Sequence, residues 1–338
     1  MKSNLIDEVA KNQKVYRQFQ KIEDKQFLLS ITGILQKTSW RDTVSENSLM
    51  FRVENGPDEV LKKVFCLGDA FQQKYPQAVS GNGQEEQKIN RLHSSALLSL
   101  LTFYSVSKEN PITFKLNGKE VVFTNVEFEH KNSVGQDEKG MEHNSNMDIM
   151  LYDGDTLDSI KNVLFLESKF SEYLTLGQKK DISNTVYGDI YRMLFNQPSV
   201  DKLVCKRQDS GYFLLKTNET GNHYCEGIKQ MISHYMGVLN FVRKFREYKC
   251  PNVYLGCILF DFKDGTIDTK VEGAGISHLE DYRRVYSYLC KKLEGLSGDF
   301  AKPENLHILN ECLTYQDVFQ MEQNRNILDK NVKTFYSL

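Results

Sequence analysis

Two carboxylates and a lysine, Asp148, Glu167 and Lys169, have the types and spacing to do chemistry on a phosphodiester. Asp148 lies in the apolar run MDIMLYD at 147–153, and Glu167 and Lys169 close the run NVLFLESKF at 162–170. Side chains alternate across a strand, so Glu167 and Lys169 share a face with Val163 and Phe165 and emerge where the apolar stretch ends. A buried strand rarely ends in Glu-x-Lys unless each charge has a partner. The polar connection GDTLDSIK is short enough for the two strands to lie side by side, with Asp148 near Glu167. Two carboxylates converging in this way suit Mg²⁺, a hard cation that takes oxygen ligands and keeps several waters, with Mn²⁺ able to replace it. Held by Asp148, Glu167 and the backbone carbonyl of Ser168, the ion would polarise a phosphodiester oxygen and lower the pKa of a bound water. Lys169 would orient that water or offset charge building on the phosphate.

The bare Asp/Glu-x-Lys tripeptide is common in this chain. Glu23/Lys25, Asp137/Lys139, Glu247/Lys249 and Asp268/Lys270 repeat it in helical or loop contexts, and Glu129/Lys131 and Asp261/Lys263 repeat it at strand ends. The element before Asp261 reads as a helix, and no aspartate lies between Asp209 and Asp261. Glu129 has no aspartate-bearing strand upstream. Only the 148–169 segment supplies strand, aspartate, strand and Glu-x-Lys in order, so strand context carries the signal. Glu127 and Glu129 stand in reserve as further ligands.

NMDIMLYDGDTLDSIKNVLFLESKF resembles the core hairpin of the PD-(D/E)xK, or restriction-endonuclease-like, superfamily. Asp148, Glu167 and Lys169 match its aspartate, acidic residue and lysine, and Met147 stands where the motif's name has proline. The resemblance covers roughly residues 86–262. It implies a central mixed β-sheet flanked by helices and Mg²⁺-dependent cleavage of nucleic acid, DNA by preference. Members often carry a polar helix before the sheet, and RLHSSALLSLLTFY places His93, Ser94 and Ser95 at the polar edge of an apolar helix, as in uncharacterised bacterial members. Some families add a Gln-x-x-x-Tyr signature on a helix beside the site. Here GIKQMISHYMGV supplies Gln230, with His234 four residues on and Tyr235 five on. The implied catalytic set is Asp148, Glu167, Lys169, Gln230 and His93.

The elements that must position these residues follow from periodicity. Apolar spacing predicts helices over 5–21 and 24–36, and Pro57-Asp58-Glu59 starts a helix expected to run to Tyr75. The segment 78–84, with Ser80-Gly81-Asn82-Gly83, reads as a loop before a long helix over 86–105. Strands over 112–116 and 121–131 flank Asn117-Gly118, which supplies the positive φ angles of a tight hairpin. After the two site strands the chain returns to helix over 171–200. A long helix over 225–246, a strand over 253–262, a helix over 279–294 and a last strand over 305–311 complete an α/β restriction-endonuclease-like core. A helical N-terminal region, 1–80, precedes this nuclease-like domain, 81–338.

With 338 residues, 40% of them hydrophobic, the chain can bury a substantial core. A formal charge of -2 gives no global basic footprint, so nucleic-acid contact must come from local clusters. Lys179-Lys180, 202–207, 243–246, Arg283-Arg284 and Lys291-Lys292 could track a phosphate backbone or form solvated helix faces. Seven scattered cysteines without a CxxC pair argue against structural zinc and a disulfide framework. The N-terminus lacks the apolar core of a signal peptide, and no run approaches the ~18 apolar residues of a membrane span, so a cytoplasmic location is expected.

Blander interpretations compete at each point. Asp148, Glu167 and Lys169 could form a salt-bridged strand pair without chemistry. His93, Ser94 and Ser95 could simply allow close packing, and Gln230 and His234 could border the core stripe Ile228, Met231, Tyr235, Val238, Val242 and Phe245. The leading function is a Mg²⁺-dependent nuclease acting on DNA, with endo- or exonucleolytic action and oligomeric state open. The alternatives are a nuclease-like nucleic-acid or protein binding module without cleavage, and a structural partner in a larger complex.

Overall fold

The computed structural model describes residues 15–37, 49–51, 57–81, 89–136, 139–156, 158–174, 204–206, 213–215, 228–245, 251–262 and 277–338. Within them the chain is α/β, with helices packed about a mixed central sheet.

Residues 15–19 are helical, as periodicity predicts for the part of 5–21 that is described. Helix α1, Lys25–Ile34, starts where Asp24 Oδ1 accepts the Phe27 N–H at 3.0 Å. Short strands β1, Leu35–Lys37, and β2, Leu49–Phe51, pair antiparallel. The helix expected over 57–75 is two: α2, Pro57–Phe65, and α3, Ala70–Ala78. Cys66 adopts a left-handed φ of 57°, and the Leu67 N–H returns to the Lys62 carbonyl at 2.9 Å. That is the bond pattern that closes a helix when its C′ residue turns left-handed. The helix expected over 86–105 is α4, Ser95–Phe103, preceded by turns over 89–94. Ser94 caps it by accepting the Leu97 N–H at 3.1 Å, so His93 and Ser94 lie ahead of the helix rather than on its polar edge. Part of the expected helix and of the 78–84 loop lies outside the described residues.

Strands β3, Ile112–Leu116, and β4, Lys119–Phe123, form a hairpin on Asn117 and Gly118, at φ 49° and 79°. The strand expected over 121–131 divides after Phe123, and β5, Asn125–Gln136, enters a different sheet. Strand β6, Glu142–Tyr152, begins five residues earlier than the apolar run implies, because its polar first half pairs only with β5. Strand β7, Asn162–Lys169, follows, then a single 3-10 turn, Glu172–Leu174. The rest of the helix expected over 171–200 lies outside the described residues. Strands β8, Val204–Lys206, and β9, Phe213–Leu215, pair with each other. Helix α5, Ile228–Lys244, strand β10, Asn252–Leu259, and helix α6, His278–Glu294, match expectation. Beyond them come β11, Leu306–Ile308, β12, Leu313–Thr314, α7, Tyr315–Gln320, and α8, Lys330–Tyr336.

The central sheet runs β11-β10-β7-β6-β5, with β12 beside β10. Strands β5, β6 and β7 are antiparallel in sequence, whereas β10 lies parallel to β7, β11 and β12. Parallel pairing of β7 and β10 requires a crossover, and α5 lies on it. Both strands are buried almost end to end because both faces are covered. On one face Phe241 of α5 packs on Phe165 with ring centroids 5.0 Å apart, and Tyr282 of α6 reaches Cys257 Sγ at 3.8 Å. On the other, Ser168 Oγ and Tyr315 OH lie 2.7 Å apart, and Tyr315 OH and Ser99 Oγ of α4 lie 3.2 Å apart. The N-terminal region joins this core through Phe19, Phe51 and Phe65, whose rings contact Phe335 of α8.

Helix α5 approaches the β5–β6 ribbon closely enough for Asn240 Nδ2 to donate to the Ser133 and Val134 carbonyls at 3.0 and 3.1 Å. A Cβ on Gly237 would sit 2.9 Å from Asn132 Cβ and 3.3 Å from the Asn132 carbonyl. Gly237→Ala is therefore expected to destabilise the protein by about 1–3 kcal/mol through overpacking, although alanine gains about 0.5–1 kcal/mol in helix preference. Urea denaturation measures it, and a stabilised variant would show that helix and ribbon can separate freely.

Candidate functional site

Asp148 and Glu167 meet where the β6–β7 ladder stops. The last paired positions are Ile149 and Leu166, so Asp148 and Glu167 stand one step beyond, opposite each other. There the Asp148 side chain replaces the backbone: its Oδ2 accepts the Ser168 N–H at 2.7 Å. Lys169 directs its carbonyl to the Phe260 N–H at 2.9 Å, on the β10 side. The N–H and C=O of one strand residue point to the same edge, so Ser168 directs both toward Asp148.

Glu167 is 1% exposed and Lys169 6% exposed, and each has dedicated partners. Lys169 Nζ donates to Glu167 Oε1 and, at 3.1 Å, to Gln230 Oε1. Glu167 Oε2 is bonded to His234 Nε2 at 2.6 Å, and Ser145 Oγ is bonded to His234 Nδ1. Burial alone would raise the Glu167 carboxyl, but attraction to Lys169 and His234 and their hydrogen bonds outweigh it and hold the group down at about 2. Burial would likewise lower the Lys169 ammonium, yet Glu167, Glu172 and Asp148 push it up. Half-buried Asp148 goes the other way. Burial, then the negative charges of Glu167 and Glu129, push its carboxyl well above the usual range, against the pull of Lys169 and the Ser168 N–H.

Glu129 is the third carboxylate. It stands opposite Asp148 on β5, between the pairs Phe128–Ile149 and His130–Met147, with φ at 51°. A non-glycine residue in that region is uncommon and costs about 1–3 kcal/mol, a cost that clusters at functional positions. What reads in sequence as a rival Glu-x-Lys is thus part of the same acidic cluster. Glu127 is turned elsewhere, bonded to His130 Nδ1 at 2.9 Å and to Tyr152 OH at 3.2 Å. The other strand-end rival is clamped structurally: the Asp261 N–H and carbonyl both bond the Gln316 amide at 2.9 Å, and Lys263 lies outside the described residues.

Of the sequence-predicted residues, Asp148, Glu167, Ser168, Lys169 and Gln230 come together. His93 is buried ahead of α4, and the hydrogen bonds described around Glu167 come from Lys169 and His234. Tyr235 turns away and donates to the Phe300 carbonyl at 2.5 Å, leaving His234 as the residue four beyond Gln230 that reaches the motif. Sequence reasoning left His234 as a polar border and missed Ser145 and Tyr315. The i, i+4 spacing of Gln230 and His234 was the available signal for the first. Nothing local marks the others. Among the basic clusters, Arg243 Nη2 donates to the Asp299 carbonyl and Arg284 to Asp281 Oδ1 at 2.7 Å, and Lys179-Lys180 lie outside the described residues.

The donor set fits a hard divalent ion. It offers carboxylate and carbonyl oxygens, and the Asp148 carboxyl, pushed up by burial and then by the charges of Glu167 and Glu129, is one whose ionised form a cation would favour. Among the described residues no group of three or more His, Cys, Asp and Glu is arranged as a ready-made ligand cage. Mg²⁺ does not require one, since it commonly uses one or two carboxylates and completes its shell with water. No helix of the described residues is long and apolar enough to cross a membrane. No family model, curated protein or solved structure matches this chain.

Proposed function

We propose that the protein is a Mg²⁺-dependent phosphodiesterase of the restriction-endonuclease-like kind that cleaves nucleic acid, DNA first. Asp148, Glu167 and the Ser168 carbonyl would hold the ion. The observation that carries this reading is the convergence of Asp148 on the Glu167-Ser168-Lys169 segment, sealed by the 2.7 Å bond from the Ser168 N–H. When bound, the ion supplies polarisation of the phosphodiester and an activated water. Glu167 is ionised at any physiological pH and needs no deprotonation to serve as a ligand. Lys169 is a fixed cation, held by Glu167 and Gln230, and offsets negative charge as it builds on the phosphate. Residues already fixed before substrate arrives lose little freedom in the reaction, which is how such sites lower a barrier.

One observation favours a second reading, a nuclease-like binding module without cleavage: both Glu167 oxygens already have protein partners. Incubation of supercoiled plasmid and of a single-stranded oligonucleotide with Mg²⁺, Mn²⁺ or EDTA separates the two. Cleavage that needs Mg²⁺ or Mn²⁺ and is lost in Asp148→Ala and Lys169→Ala is the expected result. Activity untouched by EDTA or by either substitution would sink the centre, and DNA retention without cleavage in any metal would favour the binding module.

A further inference from the structure

Glu167 is gripped from two elements at once. Gln230 and His234, four residues apart on α5, lie one above the other on a single helix face. Gln230 takes the Lys169 ammonium and His234 takes Glu167 Oε2, so one face of one helix holds both ends of the Glu-x-Lys segment. The far side of the imidazole is held by Ser145, which lies on β6 three residues before Asp148. Ser145 is 1% exposed and His234 3% exposed, so bulk water does not substitute for either bond.

We propose that Ser145 and His234 are positioning residues of the Asp148–Glu167 centre, fixing the direction in which Glu167 presents its remaining lone pairs to a divalent cation. The inference rests on the metal-centre reading above. In the neutral imidazole, a Ser145 hydroxyl donating to Nδ1 leaves Nε2 as the N–H that Glu167 receives. In the protonated ring Ser145 accepts instead, and Nε2 still donates to Glu167. Glu167 keeps its donor in both states.

The terminal torsion of a glutamate is otherwise broad, so an unheld carboxylate samples many orientations. Two anchored oxygens remove that freedom. A carboxylate has about four lone-pair sites, so single bonds from Lys169 and His234 leave lone pairs on both oxygens for a cation. Because Ser145 and Asp148 share β6, the same strand aligns both carboxylates. Outer partners of metal-ligating groups act in this way, orienting the ligand without touching the metal.

The test is Mn²⁺ affinity of the full chain, read by the electron paramagnetic resonance of free Mn²⁺, with thermal unfolding measured alongside. The variants are His234→Gln, His234→Asn, Ser145→Ala and Asp148→Asn. The amide nitrogen of glutamine reaches the position of Nε2 and can still donate to Glu167, whereas that of asparagine reaches only the position of Nδ1. His234→Gln is expected to bind Mn²⁺ close to wild type, and His234→Asn about 10–100-fold more weakly. Ser145→Ala should fall between them. Space-filling alone would make the glutamine and asparagine variants differ in unfolding temperature but not in affinity. Equal affinities in those two variants, with Asp148→Asn abolishing binding, would overturn the positioning role and leave the metal centre standing. Undiminished Mn²⁺ binding in Asp148→Asn would overturn both. If His234→Asn is unfolded at the assay temperature, an unchanged affinity in Ser145→Ala overturns the role.

Discussion

Asp148→Asn is expected to abolish metal-dependent cleavage while leaving the metal-free protein at least as stable as wild type. The loss of activity follows from the donor chemistry. Asparagine keeps an oxygen for the Ser168 N–H but lacks the charge that holds a divalent ion. Several kcal/mol of charge stabilisation goes with the ion, and each ~1.4 kcal/mol is tenfold, so a fall of about 10³-fold or more is expected. The stability effect follows from the raised carboxyl. A group whose folded pKa lies above its unfolded value, here near 3.8, holds its proton more tightly in the fold. Stability is then lost as pH rises from the unfolded value through the folded one, and stays reduced above it. Asparagine has no such loss. In EDTA at neutral pH the variant should be more stable than wild type, and the gain should vanish below about pH 4. Mg²⁺ or Mn²⁺ should raise the unfolding temperature of wild type but not of the variant. Cleavage at wild-type rates, or a variant several kcal/mol less stable, would mean that Asp148 serves only the ladder.

The largest loss of stability is expected at Glu167. Glu167→Gln leaves the Lys169 ammonium buried against neutral amide oxygens, its own new neighbour and Gln230, and takes the charge from His234's partner. Breaking a buried pair from one side costs about 3–5 kcal/mol, because the other charge stays desolvated. The sign with pH is opposite to that at Asp148. Glu167 is held down at about 2 from an ordinary 4.5, so its contribution is complete above 4.5 and is lost as pH falls toward 2. Wild type and variant should therefore converge in acid. Replacing both charges, Glu167→Gln with Lys169→Met, should recover much of the loss, since no ammonium is then stranded. Urea midpoints at a constant m-value report all three proteins. A single-variant loss under about 1 kcal/mol would place the pair with exposed ion pairs, which contribute little.

Several features were legible without coordinates because their causes are local. Alternation placed Glu167 and Lys169 together on one face, Asn117-Gly118 dictated the hairpin, and helical periodicity located α1, α5 and α6 within a few residues. The pairing of Asp148 with the Glu167 segment was legible too, since a short polar connection between two apolar strands leaves them little choice but to pair. Backbone breaks were harder. Cys66 ends α2 in a left-handed conformation that glycine usually marks, and Ser94 becomes a cap inside a stretch whose composition is helical throughout. The surroundings of the site were out of reach for a different reason. Ser145, His234 and Tyr315 come from β6, α5 and α7, and only the stacking of helices on both faces of the sheet brings His234 against Glu167 and Ser145, and Tyr315 against Ser168. By itself, then, the sequence determined which strands carry Asp148, Glu167 and Lys169 and that the three meet, because alternation and strand pairing are short-range. The tertiary structure alone decided which partners set their charge and direction, because burial and long-range packing, not neighbouring residues, determine how a carboxylate is held.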